Sequence, residues 1–319
     1  MCPPNGSVLD LRGTEAPHDG RGLSTVGLLP AGADQATVGG EAAAGNSPAT
    51  SGNSLATSGQ LPGHSMELWL VDLQAAAPAL EGLERQTPRL SADDRTRAGR
   101  LHDRAERRQR LAAYIALRIV IERMGGAQVR QLPFTRAAGG RPHLGEAAPS
   151  FSLSHSGGWA LLGVARSPIG VDLEAHRHLK MASRRRQEIL AIGAGLARSL
   201  AWDGTGEAPV LQAWCRLEAY AKATGQGLAH ILSELGLRQA SGRHLAPSAI
   251  EAAARALAGA GSVTVRDLKL PAGLYGAVAC SGVRRFARVR LFPADRAAMQ
   301  RIFAGHPSVS RVAGGESLR

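Results

Sequence analysis

The sequence predicts an α+β fold of two similar halves that meet near residue 170. Three observations lead there. Short apolar or alternating runs with strand character fall at 66–73, 151–173 and 262–291. Helical segments at 90–124 and 210–224 lie between them. The resulting order is strand, helix, strands, and then the same again. The halves share no visible sequence identity, so the duplication rests on element order alone.

Taken in order, residues 1–65 are rich in Gly, Ala, Ser, Thr and Pro and have no sustained apolar period. They read as a disordered low-complexity leader. With no basic flank before an apolar stretch, they do not read as a secretory signal. Met66-Glu-Leu-Trp-Leu-Val-Asp-Leu73 alternates like a strand, opens the N-terminal half (66–168) and makes Met66 the expected initiator. A helix is expected from Leu90 to Met124, with Ser91 as N-cap, Asp93 and Asp94 in its first turn, and Gly125-Gly126 ending it. Gly139-Gly140-Arg141-Pro142 marks a turn. Phe151–Ser154, Trp159–Ala165 and Ile169–Leu173 read as strands, with Arg166-Ser-Pro168 as a hairpin turn between the last two. The C-terminal half (169–293) continues with an irregular helical stretch at 178–200 and a helix at Val210–Thr224 closed by Gly225. Strands follow at 262–270, 275–280 and 289–291. Residues 294–319 read as a peripheral tail.

Composition narrows the function. Aromatic residues make up only 4% of the 319-residue chain, so Ala, Leu and Val must build the core. No apolar run reaches the roughly 18 residues that span a membrane. Cys2, Cys215 and Cys280 have neither disulfide-framework nor metal-ligand spacing, which suits a reducing, cytoplasmic setting. The leader holds two arginines against five acids, a net of −3, which leaves +15 for the rest of a chain of net +12. Such a surface attracts polyanions, although arginine-rich solvated faces would give the same balance.

Several groups could do chemistry. Asp172 and Glu174 lie at i and i+2 of a strand and share a face, where two carboxylates repel unless a cation separates them. Oxygen ligands favour Mg²⁺ or Mn²⁺ over zinc. Glu218 and Lys222, at i and i+4, share a helix face, and a lysine beside a carboxylate-bound cation can meet a phosphate oxygen. Ser154 and His155 sit in a small polar strand end, and His155 reads as a phosphate or hydroxyl contact. Arg104, Arg107, Arg108 and Arg110 crowd one helix. Arg118 lies within its apolar stripe and needs an anionic partner, a role a ligand phosphate would fill. Singly, each pattern also has an ordinary structural reading: solvent-facing acids, a surface ion pair, a core histidine, a solvated arginine face.

In combination these segments resemble a known family. Gly140-Arg-Pro142, Phe151-Ser-Leu-Ser-His-Ser156, Gly170-Val-Asp-Leu-Glu174 and Trp214-x-x-x-Glu218-x-x-x-Lys222-Ala-x-Gly225 are similar to the motifs of the Sfp-type 4′-phosphopantetheinyl transferases, over about Met66 to Leu291. The resemblance implies a pseudo-twofold fold of two α/β halves with the active site between them. It implies Mg²⁺-dependent transfer of the phosphopantetheine arm of coenzyme A to a serine of an acidic apo carrier protein, releasing adenosine 3′,5′-bisphosphate. Asp172, Glu174 and Glu218 would hold Mg²⁺ (or Mn²⁺), with Glu218 and Lys222 as the catalytic pair. Ser154, His155, Arg118, Arg141, Pro142 and Lys222 would bind coenzyme A. Two departures stand out. Leu217 occupies a position where the family commonly has Lys, with Arg216 beside it as a substitute. The usual glutamate proposed as general base is also missing, and Glu188 is a candidate by residue type. A monomer is expected, with no nucleic-acid or membrane partner. The competing readings are a catalytically impaired scaffold of the same fold that binds coenzyme A or a carrier, and a basic nucleic-acid-binding protein.

Overall fold

The computed structural model describes residues 66–303 except 137–139, 146–147, 198–205, 238–244, 261–262 and 284. The expected leader, 1–65, and residues 304–319 of the expected tail lie outside the described residues.

The chain is mixed α+β. Two sheets pack face to face through apolar side chains, and helices cover their outer faces. The first sheet has the order β4-β5-β1-β9 and comprises β4 (Ser150–Ser156), β5 (Trp159–Ala165), β1 (Met66–Asp72) and β9 (Val289–Leu291). β1 pairs antiparallel with β5 and parallel with β9. The second sheet has the order β6-β8-β7, with β6 (Ile169–Ala175), β8 (Leu274–Ser281) and β7 (Val263–Asp267) all antiparallel. A two-residue ladder joins β2 (Thr135–Arg136) to β3 (Pro142–His143).

Strand periodicity explains the layers. Trp69 and Val71 of β1, with Ala160, Leu162 and Val164 of β5, face the helices α1 (Leu73–Gln86), α3 (Arg104–Gly125) and α8 (Arg296–Phe303). Leu68 and Leu70, with Leu161, face the other way and meet Val171, Leu173, Val278 and Cys280 of the second sheet. Both faces of β1 and β5 are therefore buried, which is why these strands read as almost continuous apolar runs. The outer face of the second sheet packs on α5 (Glu207–Thr224), with α4 (Ser183–Leu196), α6 (Leu228–Glu234) and α7 (Pro247–Ala260) completing that core.

Three expectations change. The helix expected over 90–124 is two. α2 (Ala92–Gly99) begins at a capping box of Ser91 and Asp94, and α3 restarts after Asp103, which accepts from the Glu106 amide. Gly99, a weak helix former, ends the first, and Asp103 re-caps the second. Arg166-Ser-Pro168 is not a hairpin turn, because β5 and β6 belong to different sheets and the connection passes from one to the other. The two-residue hairpin lies at Gly157-Gly158, between β4 and β5, where both residues have positive φ (58° and 83°), the geometry that glycine tolerates and that suits strand twist. Finally, the stretch from residue 294 is not peripheral throughout. Met299 of α8 is fully buried, Phe303 stacks on Phe292, and Arg123 donates to the Ile302 carbonyl.

Candidate active site

β4 and β6 are edge strands of their respective sheets, and three serines join them. The Ser152 and Ser156 hydroxyls accept from the Val171 and Ala175 amides, each at 3.0 Å. Ser154 donates to Asp172 Oδ1 at 2.8 Å, and Ser156 donates to Glu174 Oε2 at 3.2 Å. The i, i+2 spacing puts all three hydroxyls on the face opposite Phe151 and Leu153, which enter the first core. This serine ladder satisfies edge-strand amides and sets the orientation of both carboxylates.

Helix α5 closes over the acids because β6 carries Gly170. A Cβ there would lie 2.0 Å from the Ala219 carbonyl oxygen and 2.5 Å from the Ala223 amide. That close approach lets Lys222 Nζ donate to Asp172 Oδ1 at 2.7 Å and to the Val171 carbonyl at 3.2 Å. Gly225, left-handed at φ 70°, ends the helix one turn later.

The electrostatics follow from burial. Asp172 is 1% exposed, and its Oδ2 is buried with no hydrogen-bond partner. Glu174 is 7% exposed; burial raises its pKa, and the Asp172 charge adds to that against the pull of Arg177, whose two terminal nitrogens meet its oxygens. Glu218 is pushed up to about 7 by burial, with Lys222 opposing and the Asp172 and Glu174 charges contributing. Burial alone would depress Lys222, but Asp172 and Glu218 outweigh it and hold its pKa above the ordinary lysine value. Among the described residues, no three His, Cys, Asp or Glu side chains form a ready metal-binding group. Asp172 and Glu174 instead each face a protein cation, Lys222 and Arg177 respectively.

His155 lies on the opposite face of β4, toward α3. Its Nε2 is buried without a partner, and burial, then the charges of Arg110 and Lys222, lower its pKa to about 4. A neutral imidazole among cations is a favourable contact for an anion. The 104–110 arginines divide by role. Arg108 pairs with Glu81 and Arg107 caps the Leu101 carbonyl, whereas Arg110 faces His155 and lies 5.9 Å over the Tyr114 ring. Arg141 donates to the Ala223 carbonyl at 3.2 Å, which ties the β3 strand to the end of α5, and Pro142 is half-buried opposite Arg136.

Three residues with expected roles have protein partners. Arg118 is 1% exposed, and its anionic partner is Asp94, bonded at 2.7 and 3.0 Å; it also donates to the Leu132 carbonyl and stacks on Phe134 at 3.9 Å. It is a buried structural residue that no ligand phosphate is needed to satisfy. Arg216 clasps Asp267 with two nitrogens and donates to the Gly193 carbonyl, which engages the guanidinium there, while Leu217 is fully buried. Glu188 is already engaged by Arg184 and Arg185. The sequence alone assigns no separate role to Ser156, which it shows only within a motif, to Arg177, or to Arg136, whose pKa burial and the Arg97 charge lower. Ser156 could have been found from the Ser-x-Ser-x-Ser alternation, but the two arginines carry no local signal.

The geometry thus sets the buried Asp172 and Glu174 against the cations Lys222 and Arg177 where β4, β6 and α5 meet. The chain is 32% identical to the 4′-phosphopantetheinyl transferase HetI of Nostoc over 172 residues, 52% of this chain and 71% of that protein. It is 27% identical to the 4′-phosphopantetheinyl transferase psf-1 of Bacillus pumilus over 184 residues, 54% of this chain and 75% of the relative. A putative 4′-phosphopantetheinyl transferase of Synechocystis matches at 31% over 157 residues, 46% of this chain and 61% of that one. No protein-family profile matches the chain. The chain belongs to the 4′-phosphopantetheinyl transferases and is an enzyme of this class. Among the described residues, no helix is long and apolar enough to cross a membrane.

Proposed function

We propose that the protein transfers the 4′-phosphopantetheine arm of coenzyme A to a serine of an acidic apo carrier protein, releasing adenosine 3′,5′-bisphosphate. The observation that carries this is the convergence of Asp172, Glu174, Glu218 and Lys222 at the joint between β6, β4 and α5. The two-half arrangement of the fold belongs to the same reading. It is supported by the recurrence of a strand, helices and strands on either side of residue 169.

A divalent cation fits the acids. The donor set is all oxygen, Asp172 Oδ2 is a buried acceptor with nothing bound to it, and Glu218 is raised to about 7 partly by the neighbouring carboxylate charges a cation would neutralise. Asp172, Glu174 and Glu218 would hold Mg²⁺ or Mn²⁺, which supplies charge neutralisation to the diphosphate when bound. Lys222 stays protonated and offers its ammonium to the bridging oxygen of the departing nucleotide. His155, its Nε2 buried without a partner, and the neighbouring Arg110 would meet a further anionic group of the nucleotide. Arg141 and Pro142 lie beyond the end of α5, where the base would rest. In the transfer, the serine hydroxyl oxygen forms a bond to the phosphorus, the phosphorus–oxygen bond to the nucleotide breaks, and the serine proton is released. The net charge of +15 outside residues 1–65 favours encounter with an acidic carrier. A cytoplasmic site of action agrees with the sequence reading of its cysteines.

The test is to incubate the protein with coenzyme A, Mg²⁺ and a panel of apo carriers and weigh each carrier. A gain of one phosphopantetheinyl group on at least one carrier, lost with Glu218→Gln, is expected. No gain on any carrier would refute the proposal.

A further inference from the structure

The geometry points to Arg177 as the residue that sets cation affinity at this site: it holds Glu174 and competes with a divalent ion for it. The inference rests on the assignment of Asp172, Glu174 and Glu218 as cation ligands and adds a residue that the motifs do not contain.

Arg177, its side chain 20% exposed, differs from the buried arginines Arg118 and Arg216, which are tied to Asp94 and Asp267. Arg118 donates from all three guanidinium nitrogens to four acceptors, Asp94 Oδ2, Ser91 Oγ and the Val129 and Leu132 carbonyls, a permanent tie. Arg177 lies two residues beyond the end of β6, in a stretch without regular structure. Both terminal nitrogens contact Glu174, Nη2 to Oε1 at 3.2 Å, yet its Nε is buried with no partner. A guanidinium satisfied only at its tips is held by the carboxylate alone. Its neighbours fix its approach. The His176 amide donates to the Gly273 carbonyl at 2.7 Å, and the His176 ring meets the Tyr275 hydroxyl at 3.1 Å. The backbone is thus anchored while the Arg177 side chain can swing on its stem.

The charge count supports a placeholder. Glu218 feels the charges of Asp172 and Glu174, Lys222 and Arg177 supply two cationic groups, and Asp172 Oδ2 has no hydrogen-bond partner. A divalent ion bridging the acids needs Glu174 oxygens that Arg177 now holds, so binding must break that pair. A hydrogen bond to a charged group is worth about 1.5–3 kcal/mol, so the competition weakens cation binding by about tenfold or more.

The experiment titrates Mn²⁺ alone into the full chain, without coenzyme A, and reads free Mn²⁺ by electron paramagnetic resonance and stability by thermal unfolding. Arg177→Met is expected to bind Mn²⁺ at least about tenfold more tightly than the parent. It should also melt lower than the parent without Mn²⁺, with the gap closing at saturation. Arg177→Lys, which keeps the charge but offers fewer contacts, should fall between the two and carries the test if the methionine variant does not fold. Equal or weaker binding by these variants overturns the inference, provided Glu218→Gln abolishes binding. If Glu218→Gln binds as the parent does, or if no protein binds Mn²⁺, the ligand assignment itself fails.

Discussion

Replacing Gly170 with alanine tests how the site is assembled. The new methyl would lie 2.0 Å from the Ala219 oxygen, 2.5 Å from the Ala223 nitrogen and 2.9 Å from Lys222 Cβ, and real Cβ atoms essentially never come within 3.0 Å. Two of those three atoms are backbone, so no side-chain rotation relieves the contact. The Ala219–Ala223 turn of α5 must retreat by about 1 Å, at an overpacking cost of about 1–3 kcal/mol. For a chain of this size that is a melting-temperature loss of about 3–10 °C. The retreat also draws Lys222 away from Asp172, where Nζ now donates at 2.7 Å. A misplacement of about 1 Å can cost about 100-fold in rate. Thermal unfolding and the rate of carrier mass gain read both effects. Gly259→Ala is the control, because no atom lies within 4 Å of its added Cβ and alanine favours the helix by up to about 1 kcal/mol. A Gly170→Ala protein with parental melting temperature and rate would refute the reasoning.

Three further outcomes follow from the same geometry. Arg118→Met should destabilise the protein by about 3–5 kcal/mol in urea unfolding, because Asp94 would be left buried without its counter-charge. A change below 1 kcal/mol would show that the pair is not structural. His155, depressed to about 4 from 6.5, stays neutral in the fold while the unfolded chain takes up a proton. Its contribution is therefore full above pH 6.5 and lost as pH falls toward 4, by up to about 3 kcal/mol. Unfolding measured across that range should show the loss, and His155→Asn should flatten it; identical profiles would contradict the burial of a neutral imidazole. Glu218→Gln should remove transfer and Mn²⁺ binding together while raising cation-free stability above pH 7, since the buried charge is gone.

The strands and their faces were legible because apolar alternation is a local signal. β5 and β9 fall at the expected residues, and α5 ends at Gly225 as read from its glycine. Asp172 and Glu174, and Glu218 and Lys222, could be paired in the sequence because strand and helix periods place each pair on one face. What was not legible depends on contacts distant in sequence. Whether Arg118 meets a ligand or a protein acid is decided by α2 folding back over α3, which brings Asp94 across 24 residues. Whether Arg216 replaces a lysine is decided by β7, whose Asp267 engages its guanidinium. Arg166-Ser-Pro168 has the composition of a hairpin turn, but the partners of β5 and β6 are set by whole-sheet packing. Helix α1 was hidden by Pro78 within it.

The central claim is tested most directly by a crystal structure of the protein with Mn²⁺ and coenzyme A, using the anomalous scattering of manganese. The account predicts one anomalous peak bounded by carboxylate oxygens of Asp172, Glu174 and Glu218, with Arg177 withdrawn from Glu174 and Lys222 on the diphosphate. A peak elsewhere, or acids still paired to Arg177 and Lys222 beside bound coenzyme A, would contradict it.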